Sequence, residues 1–183
     1  MARAIELAER GQYTTSPNPN VGCVLVDAKG VIIGEGWHKK AGSPHAEVNA
    51  LEYARLNEHD PKGCTAYVTL EPCSHYGKTP PCVDALITAG ISRVVVAMVD
   101  PNPLVSGNGL DALKKAGITT AHGLLQSAAE KINRGFLKRM HTGKPWVTVK
   151  MASSLDGKTA LKNSLSQWIT SPQARQDVQR HRA

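Results

Sequence analysis

At 183 residues, 41% hydrophobic and 20% charged, the chain has room for one well-buried domain and a remainder, with the composition of a globular protein. No stretch approaches the ~18 uninterrupted apolar residues of a membrane helix. The N-terminal MARAIELAERG has no signal-peptide core, so a cytoplasmic protein without a membrane partner is expected. A net charge of +7 favours anionic partners, but one Phe, four Tyr and three Trp leave little for base stacking, which points away from nucleic acid and toward a small anion.

Along the chain, Ala4, Ile5, Leu7 and Ala8 fall on a helical period that Gly11 stops. After the polar loop TTSPNPN, the runs VGCVLVD (21–27) and VIIGEGW (31–37), joined by AKG, predict a β-hairpin. Ser43 is a candidate N-cap and Pro44 suits a first helical position, which predicts a helix from about Pro44 to Leu56. CTAYVTL (64–70) reads as a buried strand. PCVDALITAG (81–90) reads as a helix and SRVVVAMVD (92–100) as the most apolar strand. The loop PNPLVSGNG leads to a short helix, LDALKKAG, a short strand, ITTAHG, and a longer basic helix over 126–143. This order predicts a layered α/β domain over residues 1–144, with a mixed central sheet flanked by helices.

Gly143-Lys144-Pro145 marks a boundary. Beyond it, PWVTVKMASSLDGKTA reads as a strand opening new structure, and DVQRHRA as the interior of a helix. Residues 145–183 are too few for a sheet-based domain by themselves. They are expected to be a fragment of one, or to pack on the first domain or a neighbouring chain.

Four cysteines, Cys23, Cys64, Cys73 and Cys82, are too few and too scattered for a disulfide scaffold. Cys23 and Cys64 lie in strand patterns and read as small buried apolar residues. Cys73 and Cys82 bracket the insertion in EPCSHYGKTPPC, while PHAE sets His45 and Glu47 at a predicted helix start. A catalytic zinc keeps three nitrogen or sulfur ligands and leaves its fourth position to water; His45, Cys73 and Cys82 supply three. Zinc lowers the pKa of that water from ~15.7 to roughly 7. Predicted helix N-termini at His45 and Cys82 add partial positive charge that favours thiolate. Glu47 lies about 200° from His45 around a regular helix, so the two converge only if His45 sits at the frayed helix edge. Singly, each residue has an ordinary explanation, and His75 could close a four-ligand structural site with the same three. The conjunction of H-A-E with E-P-C and a second cysteine is what points to chemistry.

Within the insertion, Gly77 permits a tight turn and Pro80-Pro81 stiffens the return, so that His75 and Lys78 project from a braced loop. Lys and His are suitable phosphate donors. Asn18 offers a donor and an acceptor side by side, and Asn20 is expected to shape the turn. His38, Asp100 and Asn102 fall at strand ends, where ligands of α/β sheets gather.

The pattern H-x-E…P-C…C resembles the signature of the zinc-dependent nucleobase deaminases, in which a non-ligand Glu shuttles protons. The commoner form is P-C-x-x-C; here eight residues separate the cysteines. That longer version, TLEPCSHYGKTPPC, resembles the bifunctional riboflavin-biosynthesis deaminase/reductases, as do TSPNPNVG, PHAE, DPNP, GFLKRMHTG, SSLDGKTA and SQWITSPQAR.

The resemblance implies a three-layer cytidine-deaminase-like fold, zinc on His45, Cys73 and Cys82, and Glu47 as proton carrier. It implies hydrolytic deamination of 2,5-diamino-6-ribosylamino-4(3H)-pyrimidinone 5′-phosphate. Asn18 would read the pyrimidine edge, His75 and Lys78 would grip the phosphate, and His38, Asp100 and Asn102 would contact the ribose or phosphate side. Residues 145–183 would open an NADPH-dependent reductase domain, with Ala152 and Trp168 as cofactor contacts and Ser166 and Arg182 as substrate contacts. Alone, Trp168 reads as an apolar anchor and Arg182 as a surface charge, and no reductase activity is expected of these residues without the rest of that domain. The family and the basic C-terminal helix imply a homodimer or homotetramer. Two rival readings stay open: a deaminase acting on a flipped base in nucleic acid, and a non-catalytic zinc-stabilised module with four protein ligands.

Overall fold

The computed structural model describes residues 1–77, 80–102 and 105–182. It divides into two compact units, Met1–Trp146 and Val147–Ala183. The first opens with α1 (Ala2–Glu9), which buries Ala4, Ile5, Leu7 and Ala8. The hairpin follows as β1 (Gly22–Val26) and β2 (Ile32–Trp37). Asp27 shapes its turn by accepting the Lys29 and Val31 N–H groups at 2.9 and 2.8 Å. Then come α2 (Ala46–Leu56), β3 (Thr65–Val68), α3 (Cys82–Thr88), β4 (Arg93–Val96), α4 (Asn108–Lys115), β5 (Thr119–His122), α5 (Gln126–Ile132) and α6 (Arg134–Thr142).

The strands lie in the order β2-β1-β3-β4-β5. β1 is antiparallel to both neighbours, and β3–β4 and β4–β5 are parallel. Side chains alternate between faces, as the strand period of two requires. Cys23, Leu25, Ala66, Val68, Val94 and Val96 point to one side and pack with Ala50 and Ala54 of α2, Val83 and Leu86 of α3, and Leu110 and Leu113 of α4. On the other side Val24 meets Ala4 and Leu7 of α1, while Ala97 and Met98 meet Ala129 of α5. The result is the expected three-layer α/β fold with a mixed sheet. Fully buried side chains such as Leu86 and Leu113 each contribute about 1.5–3 kcal/mol of apolar transfer.

Small residues decide how close α2 comes to the sheet. Ala46, Ala50 and Ala54 are fully buried along it, and a Cβ at Gly36 would stand 2.4 Å from the Ala46 O and Ala50 N atoms. α2 therefore rides directly on β2, which fixes the level of its N-terminus.

The structure departs from the sequence reading in three places. First, α2 begins at Ala46, not Pro44: His45 is the N-cap residue, in extended backbone at φ −75°, ψ 170°. Ser43 turns back to donate to Lys40 O at 2.7 Å, and Pro44 O is held outside the helix by the Asn49 amide at 3.3 Å and His38 Nδ1 at 3.2 Å. Second, residues 126–143 form two helices, broken at Asn133 (φ −112°, ψ 15°). The buried Asn133 amide pairs with Asn20 instead, accepting its N–H at 2.7 Å and donating to its carbonyl at 2.9 Å. Third, the strand expected after Pro145 does not form. A strand needs a partner for its backbone groups, and among the described residues none pairs there. The second unit has one regular element, α7 (Pro172–Arg182), and no buried residue over 147–182. No helix among the described residues is long and apolar enough to cross a membrane.

Candidate active site

Parallel pairing of β3 and β4 brings the segments that follow them, Leu70–Cys73 and Asp100–Asn102, to the same edge of the sheet, the position where such sheets hold ligands. A cavity of about 360 Å³ lies there, lined by residues that include Asn18, Val21, His38, His45, Glu47, Leu70, Glu71, Cys73, His75, Asp100, Asn102, Val105 and Phe136.

Among these, His45 Nδ1 stands 3.6 Å from Cys73 Sγ and 3.2 Å from Cys82 Sγ behind them. Bonds of ~2.0 Å to nitrogen and ~2.3 Å to sulfur at a tetrahedral angle separate the two ligand atoms by about 3.5 Å, so the three side chains fit one zinc ion. Their ligand atoms all lie within 4.8 Å of one another, and among the described residues no fourth His, Cys, Asp or Glu joins the group, His75 included. The extended backbone at His45 explains how Glu47 can flank the cluster: the two residues are not on one regular helical turn. Glu47 is 3% exposed and contacts Cys82.

Charge in this cluster is strongly coupled. The Cys73 thiol is pulled down to about 4, first by its hydrogen bond with Cys82 and then by His45. The start of α3 helps: Cys82 N–H donates to Cys73 Sγ at 3.3 Å, and Val83 N–H to Cys73 O at 3.2 Å. Cys82 is pushed up by the same contact with Cys73 and by burial. Contact with Cys73 raises His45, and burial raises Glu47. Both sulfurs ionise together only beside a strong positive charge, which a divalent cation provides.

Around the cluster, His38 is 3% exposed. Its Nδ1 faces Pro44 O at 3.2 Å and its Nε2 faces the Asn18 amide nitrogen at 3.1 Å. A carbonyl demands N–H at Nδ1, so the neutral ring accepts at Nε2 and Asn18 is the donor there. Burial lowers the His38 pKa, consistent with the neutral ring. Asn18 keeps its carbonyl oxygen and a second N–H for the cavity it lines. Asn20 lies behind, its Oδ1 taking Thr15 Oγ1–H at 2.8 Å and its amide donating to Ile132 O at 3.0 Å, which is the turn-shaping expected of it. Asp100 accepts Asn102 N–H at 2.8 Å, and burial raises its carboxyl pKa. His75 is exposed on the rim, and Lys78 lies outside the described residues.

The remaining expected contacts belong to the second unit. Ala152 is half-buried, and Ser166, Trp168 and Arg182 are exposed; the Arg175 guanidinium lies 4.0 Å from the Trp168 ring centre. Several wall residues had no signal in the sequence, Val21, Leu70 and Val105 among them. Phe136, the single Phe of the chain, lines the wall from α6, and so does Glu71, two residues before Cys73.

Residues 1–98 match the family of the cytidine and deoxycytidylate deaminase zinc-binding region. The chain belongs to that deaminase family. Residues 145–183 match the RibD C-terminal domain. Riboflavin biosynthesis protein RibD of Escherichia coli (strain K12) is 62% identical over 183 residues, all of this chain and 49% of that protein. The diaminohydroxyphosphoribosylamino-pyrimidine deaminase of Buchnera aphidicola subsp. Schizaphis graminum is 57% identical over 145 residues, 79% of this chain and 96% of that protein. The crystal structure of a diaminohydroxyphosphoribosylaminopyrimidine deaminase/5-amino-6-(5-phosphoribosylamino)uracil reductase from Thermotoga maritima superposes with a TM-score of 0.93 at 46% identity, over 100% of this chain and 51% of that one. The resemblance to the riboflavin-biosynthesis deaminase/reductases is thereby borne out. This deaminase-family chain spans about half the length of these RibD and deaminase/reductase relatives.

Proposed function

We propose that this chain is a zinc-dependent deaminase that hydrolyses the amine from 2,5-diamino-6-ribosylamino-4(3H)-pyrimidinone 5′-phosphate, a step of riboflavin biosynthesis, in the cytoplasm. One observation carries the reading: an imidazole nitrogen and two sulfurs at the span of a single tetrahedral ion, on a cavity that a buried glutamate also lines. The deaminase name of a relative that the chain covers almost completely supports it.

Zinc on His45, Cys73 and Cys82 would supply Lewis acidity that makes water nucleophilic at neutral pH. Water adds at the ring carbon bearing the amine, and ammonia leaves. Glu47 takes the proton from the attacking water, passes it to the adjacent ring nitrogen and then assists the departing amine. Its burial raises its proton affinity, which suits a group that must hold a proton between two transfers. Asn18, oriented by His38, reads the pyrimidine edge. His75 and Lys78 hold the 5′-phosphate, and His38, Asp100 and Asn102 contact the ribose or phosphate side.

Residues 1–144 carry this activity in our reading. Residues 145–183 open a reductase domain, with Ala152 and Trp168 toward NADPH and Ser166 and Arg182 toward its substrate; the match to the RibD C-terminal domain supports this. The working form is a homodimer or homotetramer, with no nucleic-acid partner.

The test is Glu47→Gln. It should keep zinc at the wild-type level and lose about 10²–10⁴-fold in ammonia release, the usual worth of a general acid–base. Wild-type turnover in a zinc-loaded variant removes Glu47 from the reaction. Equal ammonia release from tRNA and from the ribotide refutes the small-molecule substrate.

A further inference from the structure

Two buried glutamates line the cavity, and they are used differently. Glu71, also 3% exposed, has both carboxylate oxygens fully engaged. Oε1 accepts the Gly109 and Leu110 N–H groups at 2.9 and 3.1 Å. Oε2 accepts those of Asp100 and Gly107 at 3.1 and 3.0 Å. A carboxylate offers about four lone-pair sites, so four N–H donors occupy all of them.

The four donors are not arbitrary. Gly109 and Leu110 are the second and third residues of α4, the positions an N-cap side chain would satisfy. The N-cap itself is Gly107 at φ +80°, with no side chain to do it. Glu71 caps α4 from the segment that follows β3, and its carboxylate sits at the positive helix end. Its second oxygen ties Asp100 to Gly107. Asp100, Asn102 and Val105 line the cavity wall beside this tie. The far side of the clip is equally tight, because a Cβ at Gly109 would meet Pro72 O at 2.1 Å. The Glu71 backbone is itself fixed, its N–H donating to Met98 O at 3.0 Å.

We propose that Glu71 is a positioning residue for substrate binding: it clips Asp100 and Gly107 to the segment that carries Cys73, so that Asp100 and Asn102 hold a set place relative to the metal site. This rests on the deaminase reading above. It differs from a structural role in what should move. Glu71→Gln leaves two of the four N–H groups without an acceptor and loosens the tie between Asp100 and Gly107. KM for the ribotide should rise about tenfold, as expected for losing a charge-assisted hydrogen bond that organises the site. The kcat should change far less, and zinc content should stay at the wild-type level.

Gly109→Ala tests the other side of the clip. It leaves the carboxylate intact but drives α4 away from Pro72, and it should raise KM in the same direction. If neither variant folds, amide hydrogen exchange on the wild-type chain decides. The Asp100, Gly107, Gly109 and Leu110 amides should open together and slow together when the deaminated product is added; unchanged exchange overturns the proposal. An unchanged KM in folded Glu71→Gln, or a loss confined to zinc or kcat, also overturns it. A wild-type chain that releases no ammonia removes the deaminase reading and this one with it, whereas an active wild type beside an unaltered KM removes this one alone.

Discussion

Residues 1–146 and 147–182 contain the same kinds of apolar side chain and treat them in opposite ways. In the first unit Leu7, Leu25, Leu86 and Leu113 are fully buried between sheet and helices. In the second, Leu155 is 108% exposed, and Leu161, Leu165 and Trp168 between 62% and 68%. What order the second unit has is local. Ser154 and Lys158 close a short turn through backbone and hydroxyl contacts of 2.9–3.1 Å, and Arg175 covers one ring. An apolar pattern becomes a core only where an opposing layer meets it, and a sheet with helices on both faces provides two. The chemistry follows the core: burial raises the Glu47 carboxyl, and contact with Cys73 and then burial raise the Cys82 thiol, surroundings that a unit without buried residues cannot provide.

That contrast is sharpest at the metal ligands. Cys73→Ser should reduce bound zinc from about one per chain to near none and cut ammonia release by on the order of 10³ or more, the several kcal/mol expected of a Lewis acid. Cys64→Ser, at a buried cysteine outside the cluster, should leave zinc stoichiometry unchanged. Metal analysis of both variants breaks the comparison if they respond alike. Next in size is the core. Leu86→Ala should cost about 2–5 kcal/mol in urea unfolding, from lost burial plus the cavity left behind. A cost under 1 kcal/mol would mean the sheet–helix interface is not what holds the first unit together.

A smaller effect is expected from pH. The His38 pKa is depressed below its ordinary value of 6.5, chiefly by burial. On acidification the unfolded chain therefore binds this proton first. The contribution of His38 to stability is present above about 6.5 and is lost as pH falls through that value toward the lower folded pKa. Protonated Nε2–H would face the Asn18 N–H₂, donor against donor, so Asn18 must turn and present the wrong edge to the cavity. KM for the ribotide should stay level above about pH 6.5 and rise several-fold as pH falls below it, and an NMR titration of His38 should follow the same curve. A flat KM with His38 titrating in that window would refute the coupling.

Much of the first unit was legible because its signals are local. Ala4, Ile5, Leu7 and Ala8 share a helical period, β1 and β4 are apolar runs, and His45, Glu47, Cys73 and Cys82 carry their chemistry in their own side chains. What escaped depends on distant partners. The start of α2 shifted from Pro44 to Ala46 because Pro44 O is occupied by His38 and Asn49. The basic helix broke at Asn133 for a contact with a residue 113 positions away. Glu71 acts on backbone N–H groups 29–39 residues distant, and backbone donors leave no mark in a sequence. WVTVKM failed for the reverse reason: strand propensity is local, but a strand is not.

The smallest effect is predicted in the second unit. Leu155 touches solvent on every side, so Leu155→Ser removes no burial and creates no cavity. Its effect on urea stability should stay within about 0.5 kcal/mol, as for surface positions generally, and ammonia release should not change. The comparison with Leu86 is direct, since both substitutions remove a leucine side chain and differ in what surrounds it. A loss above 1 kcal/mol at Leu155 would show that this side chain is covered in solution, and the contrast between the two units would then have to be redrawn around whatever covers it.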